Sequence, residues 1–528
     1  MYDLLIKNAA VLDGTGCPYY FSDVAVKDGK IALVAKNINE DAKETIDAKG
    51  LFLAPGFIDA HSHHDAFLEL YNTGWNNLIQ GITTAVSGQC GQSPFPSGKG
   101  FEHELARVVG AISSRKFDPS VEKRGSFKTF LNTVDYPMGH HTAYHIGHGS
   151  LRAAVMGYAN RKPTDEEMEK MKELLRRDMR SGALGITYGL LYPPSSYADL
   201  EEMTELAAVV GEFGGNFAVH IRNDGDGLID SVAEMIEISR KTGTRLVLSH
   251  QKAIFKQNWG KIKQVMEMID KAVSEGVDVF FDVYPYTASS TTLGRFIPQE
   301  LHALGLDKML DLLKNPESRA EIKARILNGR DPDEYLSDTM VGSAASHPEY
   351  AGRFLPEIAK EQGIDACELL FNIIVEERNS ANGIYHRMCE EDVETAIAHP
   401  RGMLGTDGLY YPTATGLHPR AFGSFQKYLG YYCRQRNVVP LHEAIRKITS
   451  MPAAVYNIPN KGLIREGYDA DLVIFDFDTV IDKADYVNPT LPGEGIKYVF
   501  VLGEKAVEDN KATGALFGKA VLRKGAEL

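Results

Sequence analysis

The strongest constraint on the fold is an alternation of short buried strands with amphipathic helices in the middle of the chain. The segments 216–220, 245–250 and 277–282 each contain a core of apolar residues and are typical of buried strands. Between them lie two helical patterns, 228–241 and 261–274, and each is closed by a glycine. Strands that alternate with helices form βαβ units, which pair their strands in parallel. The middle of the chain therefore predicts a parallel sheet covered by helices.

Further segments extend this pattern to eight strands. The candidate strands lie near residues 57–59, 82–87, 142–146, 184–187, 216–220, 245–250, 277–282 and 403–406. Eight parallel strands with intervening helices favour an α/β fold, the TIM-type (β/α)8 barrel, in which functional residues collect at the carboxyl ends of the strands. The last two strands are separated by far more chain than one crossover needs. We therefore expect an insertion near residues 290–345 that covers the site as a lid.

Both ends of the chain also have the pattern of short strands separated by turn residues. The candidate strands are residues 3–7, 23–27, 31–34, 470–475 and 498–504. An Asp-Gly pair between the second and third of them is a hairpin signal. We expect residues 1–54 and 458–528 to meet in one small β-domain, with residues 55–457 as the main domain.

The composition limits the partners that the chain can have. With 57 basic and 71 acidic residues the formal charge is −14, and such a surface repels the phosphate backbone of nucleic acids. No apolar run approaches the roughly 20 residues that span a bilayer, and residues 1–7 lack the layout of a signal peptide. The 5 cysteines are scattered, which does not indicate a disulfide framework. We expect a cytoplasmic protein with a small-molecule partner, and neither nucleic acid nor membrane.

Six side chains of metal-binding types stand at or just after the carboxyl ends of the candidate strands. They are His61, His63, Cys90, His220, His250 and Asp407. His61 and His63 are two positions apart, so on a strand both imidazoles point to the same face and can reach one ion. His220 and His250 are one βα unit apart, which places them on neighbouring strands. Ligands that arrive from different strands can surround one or two zinc ions, so the sequence predicts a metal site.

Cys90 and Asp407 each allow two interpretations. Cys90 is either a buried free cysteine or a thiolate ligand, which can bridge two ions. Asp407 is either part of an Asp-Gly turn or a carboxylate beside a metal-bound water. In the second interpretation zinc lowers the pKa of that water to about 7, the hydroxide attacks a carbonyl carbon, and Asp407 passes the proton to the leaving group. The six residues together favour a metal-dependent hydrolase.

A series of short motifs runs along nearly the whole chain, beginning with Pro-Gly-Phe-Ile-Asp-Ala-His-Ser-His at 55–63. The others lie at residues 88–91, 189–194, 220–222, 249–253, 284–291, 405–408, 418–420 and 467–473. In this order the motifs resemble those of the amidohydrolase superfamily and, within it, of the D-aminoacylase (N-acyl-D-amino-acid deacylase) family. The resemblance implies a distorted (β/α)8 barrel with a small β-sandwich formed by both termini.

The resemblance also implies Zn²⁺ as the cofactor. By family position, Cys90, His220 and His250 hold one tightly bound ion. The remaining predicted ligands, His61, His63 and Asp407, form the half of the site where a second ion binds weakly.

The same resemblance implies a substrate with a free carboxylate beside the acylated nitrogen. By family position Lys252, Tyr284 and Arg420 hold this carboxylate, with Ser290 and Tyr192 nearby. Lys252 lies two residues after a predicted ligand, so on a continuing strand it points into the same cavity. A guanidinium fork suits a carboxylate. The alternative is that Lys252 and Arg420 are ordinary surface or salt-bridge residues.

The function that the resemblance implies is zinc-dependent hydrolysis of the linear amide bond of N-acyl-D-amino acids, with Asp407 as the catalytic base. A dipeptidase for peptides that end in a D-residue is a close alternative. A cyclic-amide hydrolase of the hydantoinase or dihydropyrimidinase type is another. Many amidohydrolases bridge two metals with a carboxylated lysine on the fourth strand, and residues 182–188 contain no lysine. A catalytically inactive scaffold is a further alternative, but all six ligand positions are retained.

Overall fold

A computed structural model describes residues 1–66, 72–110, 118–134, 137–409 and 418–527. Its β-strands are β1 Tyr2–Val11, β2 Tyr20–Lys27, β3 Lys30–Ala35, β4 Ala42–Asp47, β5 Phe52–Pro55, β6 Phe57–Asp59, β7 Ile82–Ser87, β8 His141–Tyr144, β9 Ile146–Gly147, β10 Gly185–Gly189, β11 Asn216–His220, β12 Arg245–Leu248, β13 Val279–Val283, β14 Ser289–Thr292, β15 Thr339–Ser343, β16 Asn382–Tyr385, β17 Gly402–Leu404, β18 Leu472–Phe475, β19 Ile496–Val501, β20 Glu504–Glu508, β21 Lys511–Ala512 and β22 Ala520–Val521.

Helices connect most of these strands. The α-helices are α1 Trp75–Leu78, α2 Glu102–Gly110, α3 Val121–Arg124, α4 Phe127–Thr133, α5 His148–Met156, α6 Asp165–Arg180, α7 Leu200–Gly211, α8 Leu228–Thr242, α9 Lys261–Ser274, α10 Gln299–Ala303, α11 Leu306–Lys314, α12 Pro316–Leu327, α13 Pro332–Tyr335, α14 Leu355–Gln362, α15 Ala366–Glu376, α16 Glu390–Ala398, α17 Arg420–Lys427, α18 Leu441–Lys447 and α19 Ser450–Val455. A π-helical segment, Tyr428–Gln435, continues α17. None of the helices in the described ranges combines the length and apolar composition that a bilayer crossing requires.

The parallel strands form a distorted barrel, as predicted. One sheet has the order β17-β13-β12-β11-β10-β9, and a second contains β22-β8-β7-β6. The predicted third strand divides at His145, because β8 pairs with β7 whereas β9 pairs with β10. On the other side, the Ala60 amide donates to the Leu404 carbonyl, so the end of β6 is bonded to β17. The eight strand positions therefore follow one another around a ring.

The interior of this ring is a packed core. One apolar cluster contains residues that lie on or next to the barrel strands, together with residues of α19. Its barrel members are Ile58, Ala60, Val86, Ala143, Leu184, Ala218, Val247 and Met403. Packing of this kind fixes the carboxyl ends of the strands relative to one another, and those ends carry the predicted ligands.

Both termini contribute to a nine-stranded, largely antiparallel sheet, as the sequence predicts. Its order is β21-β20-β19-β18-β5-β1-β2-β3, and β4 pairs with β1. The last strand departs from this arrangement, because β22 pairs in parallel with β8 of the barrel. Residues near the end of the chain thus help to hold the barrel.

The segment between β13 and β17 forms a unit with its own apolar core. Three antiparallel strands, in the order β14-β16-β15, pack with α10 to α15 around buried side chains such as Leu310, Leu370 and Ile374. These elements run from Ser289 to Tyr385. The predicted domain boundaries, 1–54, 55–457 and 458–528, stay a prediction, as does the role of the insertion as a lid.

Candidate metal centre and substrate pocket

The carboxyl ends of the barrel strands bring the six predicted ligands into one region. His61 and His63 follow β6, and Cys90 lies three residues after β7. The other three are placed in the same way: His220 ends β11, His250 follows β12, and Asp407 follows β17. The βα units of the sequence therefore position these side chains as the pattern predicts.

Cys90 lies at the centre of three imidazoles. Its Sγ is 3.5 Å from Nε2 of His61, 3.4 Å from Nε2 of His250 and 3.6 Å from Nδ1 of His220. All four side chains are buried, so the thiol has little contact with solvent. A sulfur surrounded by ring nitrogens at these distances is an arrangement that could hold a metal ion.

Asp407 adds a carboxylate to the cluster. Its Oδ1 is 3.2 Å from Nε2 of His63 and 3.6 Å from Nε2 of His61. Its second oxygen, Oδ2, lies 2.8 Å from Nη1 of Arg420. One carboxylate therefore joins the two histidines after β6 to a buried guanidinium.

The donor set fits a zinc ion. Donor atoms from His61, Cys90, His250 and Asp407 all lie within 4.8 Å of one another. Tetrahedral zinc, with Zn–S of about 2.3 Å and Zn–N of about 2.05 Å, separates sulfur from nitrogen by about 3.6 Å. The observed Sγ–N distances of 3.4 to 3.6 Å match this value. Thiolate and imidazole are also ligand types that zinc prefers.

The electrostatics of the cluster favour an ionised thiol and carboxylate. Burial opposes ionisation of Cys90, but the charge of His61 and hydrogen bonds from His220 and His250 hold the pKa of its thiol well below the usual value. Burial likewise opposes ionisation of Asp407, but Arg420 and the hydrogen bond from His63 hold its pKa well below the usual range. Burial and the charge of Lys252 lower the pKa of His250 to about 4, which leaves it neutral. Burial opposes protonation of His63, but its hydrogen bonds with Asp407 and Cys90 raise its pKa to about 9. Because metals bind the thiolate, the carboxylate and the neutral imidazole, a metal ion at this histidine would displace a proton.

The backbone is strained at three of the six positions. The φ angles are 51° at Cys90, 34° at His250 and 47° at Asp407, all in the left-handed region. For residues other than glycine this conformation costs on the order of 1–3 kcal/mol each and persists only where surrounding contacts enforce it. Such strain clusters at functional sites, which agrees with the placement of these side chains.

Two carboxylates that the sequence analysis did not single out support the histidines. Asp282 accepts a hydrogen bond from Nδ1 of His61 at 3.2 Å and another from the amide of His250 at 2.9 Å. Asp224 lies 3.6 Å from Nε2 of His220. Asp282 ends a predicted barrel strand, so its position in the sequence could have identified it as a residue of the site. Asp224 lies in the loop after β11, where the sequence offers no comparable pattern.

All five predicted substrate residues line one pocket of about 70 Å³ beside the cluster. The predicted residues are Tyr192, Lys252, Tyr284, Ser290 and Arg420. The pocket also contains Gln92, Leu191, Asp224, Ser289, Thr291, Thr292, Arg295, Asn382 and Leu409, together with most of the predicted ligands. The structure thus brings the predicted substrate residues and the ligands together on one cavity.

The two predicted basic residues are buried and paired. Lys252 is 6% exposed, and its Nζ lies 2.7 Å from Nδ1 of His250 and 3.3 Å from Oδ2 of Asp224. Arg420 is 4% exposed and lies over the ring of Tyr284, with 5.0 Å between Cζ and the ring centroid. They are therefore not surface residues, although both take part in ion pairs.

Comparison with known proteins agrees with this geometry. The amidohydrolase family model matches residues 44–507. D-aminoacylase of Alcaligenes xylosoxydans xylosoxydans is 32% identical over 532 residues, which cover 99% of this chain and 98% of that protein. N-acyl-D-glutamate deacylase of the same organism is 33% identical, with 95% of this chain and 93% of that protein covered.

A solved structure extends the comparison to the fold. N-acyl-D-glutamate deacylase from Bordetella bronchiseptica, complexed with zinc and a phosphonate inhibitor that mimics the tetrahedral intermediate, has a TM-score of 0.84. It is 32% identical, and the match covers 99% of each chain. The chain therefore belongs to the amidohydrolase family and, within it, to the D-aminoacylase (N-acyl-D-amino-acid deacylase) family.

Proposed function

We propose that this protein is a zinc-dependent hydrolase that removes the acyl group from N-acyl-D-amino acids. The observation that carries the proposal is a thiol held among three imidazoles next to a buried carboxylate, on a pocket with two buried cations. The D-aminoacylase and deacylase relatives support the bond type and the D-configuration. The zinc in the Bordetella structure supports the choice of metal.

We assign the ligands in two groups. Cys90, His220 and His250 would hold one tightly bound zinc ion, a grouping that the family resemblance implies and with which the distances around Sγ are compatible. His61, His63 and Asp407 would form the half of the site that binds a second ion more weakly. A bound zinc ion supplies a Lewis acid that activates water and polarises the amide carbonyl.

Asp407 would act as the proton carrier. Its low pKa keeps it as a carboxylate, so it can accept a proton from the attacking water. It would then give this proton to the nitrogen that leaves as the free amine. Its position between the ligand histidines and Arg420 places it at the border between the cluster and the pocket.

The buried cations would hold the carboxylate of the substrate. Arg420 offers a guanidinium fork with a hydrogen bond from Nη2 to the Ser290 carbonyl at 3.3 Å, which fixes its orientation. Lys252 contacts Nδ1 of His250, but a metal on Nε2 of that histidine requires a proton on Nδ1. Two donors then face each other, so the ammonium group would turn towards Asp224 and the substrate carboxylate.

Strand β10 supports a linear-amide hydrolase over a cyclic-amide hydrolase. It contains no lysine that could be carboxylated to bridge two metals. Instead, the Thr187 hydroxyl donates to the Gly88 carbonyl at 2.5 Å and accepts from the Gly91 amide at 3.1 Å. These contacts stabilise the turn that carries Cys90, which agrees with the thiolate as the bridging ligand.

A dipeptidase that acts on a C-terminal D-residue would use the same ligands and the same carboxylate-binding residues, and it is the second candidate.

We also propose a cytoplasmic location. The five cysteines are free thiols, four of them buried, as expected in a reducing compartment.

The test is a panel of N-acyl amino acids and dipeptides in both configurations, assayed with zinc content measured on the same samples. The proposal predicts hydrolysis of N-acyl-D-amino acids and no hydrolysis of their L-enantiomers. Hydantoin and dihydropyrimidine substrates serve as the comparison. Turnover of the cyclic amides without turnover of the linear ones would overturn the proposal.

A further inference from the structure

The residues that would bind the substrate carboxylate come from separate segments, and one buried histidine contacts two of these segments. Arg420 is the first residue of α17, whereas Tyr284 follows β13 and Ser290 lies in β14. His418 belongs to the His-Pro-Arg motif at residues 418–420, but it is neither a proposed ligand nor a proposed carboxylate-binding residue. It is 5% exposed, so its ring nitrogens need partners inside the protein.

Both ring nitrogens of His418 have such partners, one in each segment. Nδ1 accepts a hydrogen bond from the backbone amide of Arg420 at 3.1 Å, and Nε2 lies 2.9 Å from the carbonyl oxygen of Ala288. An amide N–H can only donate and a carbonyl oxygen can only accept, so the ring is neutral and carries its proton on Nε2. Burial and the charge of Arg420 also hold the pKa of His418 well below its usual value, which agrees with the neutral form.

The hydrogen bond at Nδ1 determines how α17 begins. The first amides of a helix have no partner within the helix, and a side chain from outside commonly supplies one. Pro419, which precedes the helix, has no amide hydrogen and no capping side chain. The amide of Arg420, the first helical residue, has the His418 ring as its partner instead. The backbone position of Arg420 is therefore set by His418 and, through the bond at Nε2, by Ala288.

The segment at Ala288 also contains residues that would bind the substrate carboxylate. Ser290 lies two residues further along, and its carbonyl accepts a hydrogen bond from Nη2 of Arg420 at 3.3 Å. The His418 ring lies 6.2 Å from the ring of Tyr284, which in turn lies under the Arg420 guanidinium. One side chain therefore connects three of the residues that would hold the carboxylate.

From these contacts we propose that His418 is a positioning residue for the substrate carboxylate, because it holds Arg420 in the place where the guanidinium can bind that group. This inference rests on the proposed deacylase function and on the role proposed for Arg420. Loss of both hydrogen bonds would leave a buried amide hydrogen and a buried carbonyl without partners, and the start of α17 would shift to restore them. The guanidinium would move with the helix, so carboxylate binding would weaken although Arg420 is still present.

The test compares kcat/KM for an N-acyl-D-amino acid with kcat/KM for its methyl ester in His418→Phe. Phenylalanine keeps an aromatic ring beside Tyr284, but it can neither accept from Arg420 nor donate to Ala288. The loss on the acid should exceed the loss on the ester by about 2- to 12-fold, the range for one neutral hydrogen bond. The zinc content should equal that of the wild type, because these contacts involve no predicted ligand.

His386→Phe is the matched control, because it makes the same substitution in the same group of rings. The His386 ring lies 4.7 Å from the ring of Tyr486, which lies 5.2 Å from the ring of His418. Within the described parts of the chain, Nε2 of His386 has no hydrogen-bond partner. This variant should keep the wild-type ratio of acid to ester. A change of ratio as large as that in His418→Phe would show that ring packing controls binding, and it would overturn the inference.

A combined variant shows whether His418 acts through Arg420. If it does, addition of His418→Phe to Arg420→Met should leave the acid-to-ester ratio of Arg420→Met unchanged. A further change of that ratio would overturn the inference. His418→Gln, whose carboxamide supplies both an acceptor and a donor, is measured in the same way and should give a ratio between those of the wild type and His418→Phe.

The remaining outcomes separate this inference from the proposed function. If Arg420→Met distinguishes acid from ester, equal losses on the two substrates in His418→Phe would overturn the inference alone. Equal losses in His418→Gln would do the same if the phenylalanine variant does not fold. Equal losses in Arg420→Met itself would overturn the role of Arg420 and this inference together. Absence of hydrolysis for every N-acyl-D-amino acid would overturn the proposed function itself.

Discussion

Replacement of Arg420 separates binding of the substrate carboxylate from the rest of catalysis. The Arg420 side chain is 5% exposed, and its Nη1 lies 2.8 Å from Oδ2 of Asp407. A hydrogen bond to a charged group contributes about 1.5–3 kcal/mol, which corresponds to about 10- to 150-fold in kcat/KM. Arg420→Met should therefore lower kcat/KM for an N-acyl-D-amino acid more than it lowers kcat/KM for the methyl ester of the same compound, and the two losses should differ by this factor.

The same substitution has a second effect that both substrates share. Arg420 lowers the pKa of Asp407, so its loss raises this pKa and reduces the carboxylate fraction at a given pH. The acidic limb of the profile of kcat/KM against pH should move to higher pH for acid and ester alike. Because this effect is common to both, it cancels in the ratio of the two rate constants.

The assay needs a control for the fold. Loss of one partner from a buried ion pair costs about 3–5 kcal/mol, so thermal unfolding and zinc content are measured on each variant. Arg420→Lys keeps the charge without the fork and should give an intermediate ratio. If acid and ester lose activity equally in Arg420→Met, the assignment of Arg420 to the substrate carboxylate is wrong.

Three other substitutions test different parts of the site and the fold. Asp407→Asn should lower kcat by roughly 10²- to 10⁴-fold, the contribution of a general base, while metal analysis still finds the tightly bound zinc. Cys90→Ala should lose zinc and activity together in the same measurements, and retention of full metal content would contradict the ligand assignment. Asp471→Asn should destabilise the protein by about 3 kcal/mol at pH 7 in denaturant unfolding, because Lys461 and His141 hold the pKa of this buried carboxyl far below its usual value despite burial. Because the pKa of Asp471 is depressed in the folded protein, its carboxylate stabilises the fold fully above the unfolded-state pKa of about 3.9, and this stabilisation decreases as the pH falls below that value. If the difference in unfolding free energy between Asp471→Asn and the wild type stays unchanged below pH 4, the argument is wrong.

The barrel was predictable because its strands are buried on both faces. Segments such as 216–220 and 279–283 are mostly apolar, and each follows a helical pattern that is closed by a glycine. Once the strands are placed, position at their carboxyl ends indicates the candidate ligands, and the family resemblance decides between the two interpretations of Cys90 and of Asp407. His220 and His250 fall at equivalent points of adjacent βα units, and the structure places their rings 4.3 Å apart.

Other features depend on contacts between distant segments and have no local signal. The pairing of β22 with β8 joins residues that are almost 400 positions apart. The ion pair of Arg420 with Asp407 joins the first residue of α17 to the segment after β17, and no local pattern in the sequence indicates it. A cavity of about 310 Å³ is lined by residues of α2, the loop after β10 and the insertion, so none of these segments alone indicates it.

The strained backbone shows how the barrel prepares the ligands for a metal. The left-handed conformations of Asp407 and His250 are held by hydrogen bonds from each amide to another strand: Asp407 to the His61 carbonyl, and His250 to the Asp282 carboxylate. The turn at Cys90 is held in the same way by Thr187 of β10. These three candidate ligands are therefore held by contacts with other strand positions of the barrel. Packing of the barrel thus maintains the contacts that keep the strained backbone in place at the candidate metal centre.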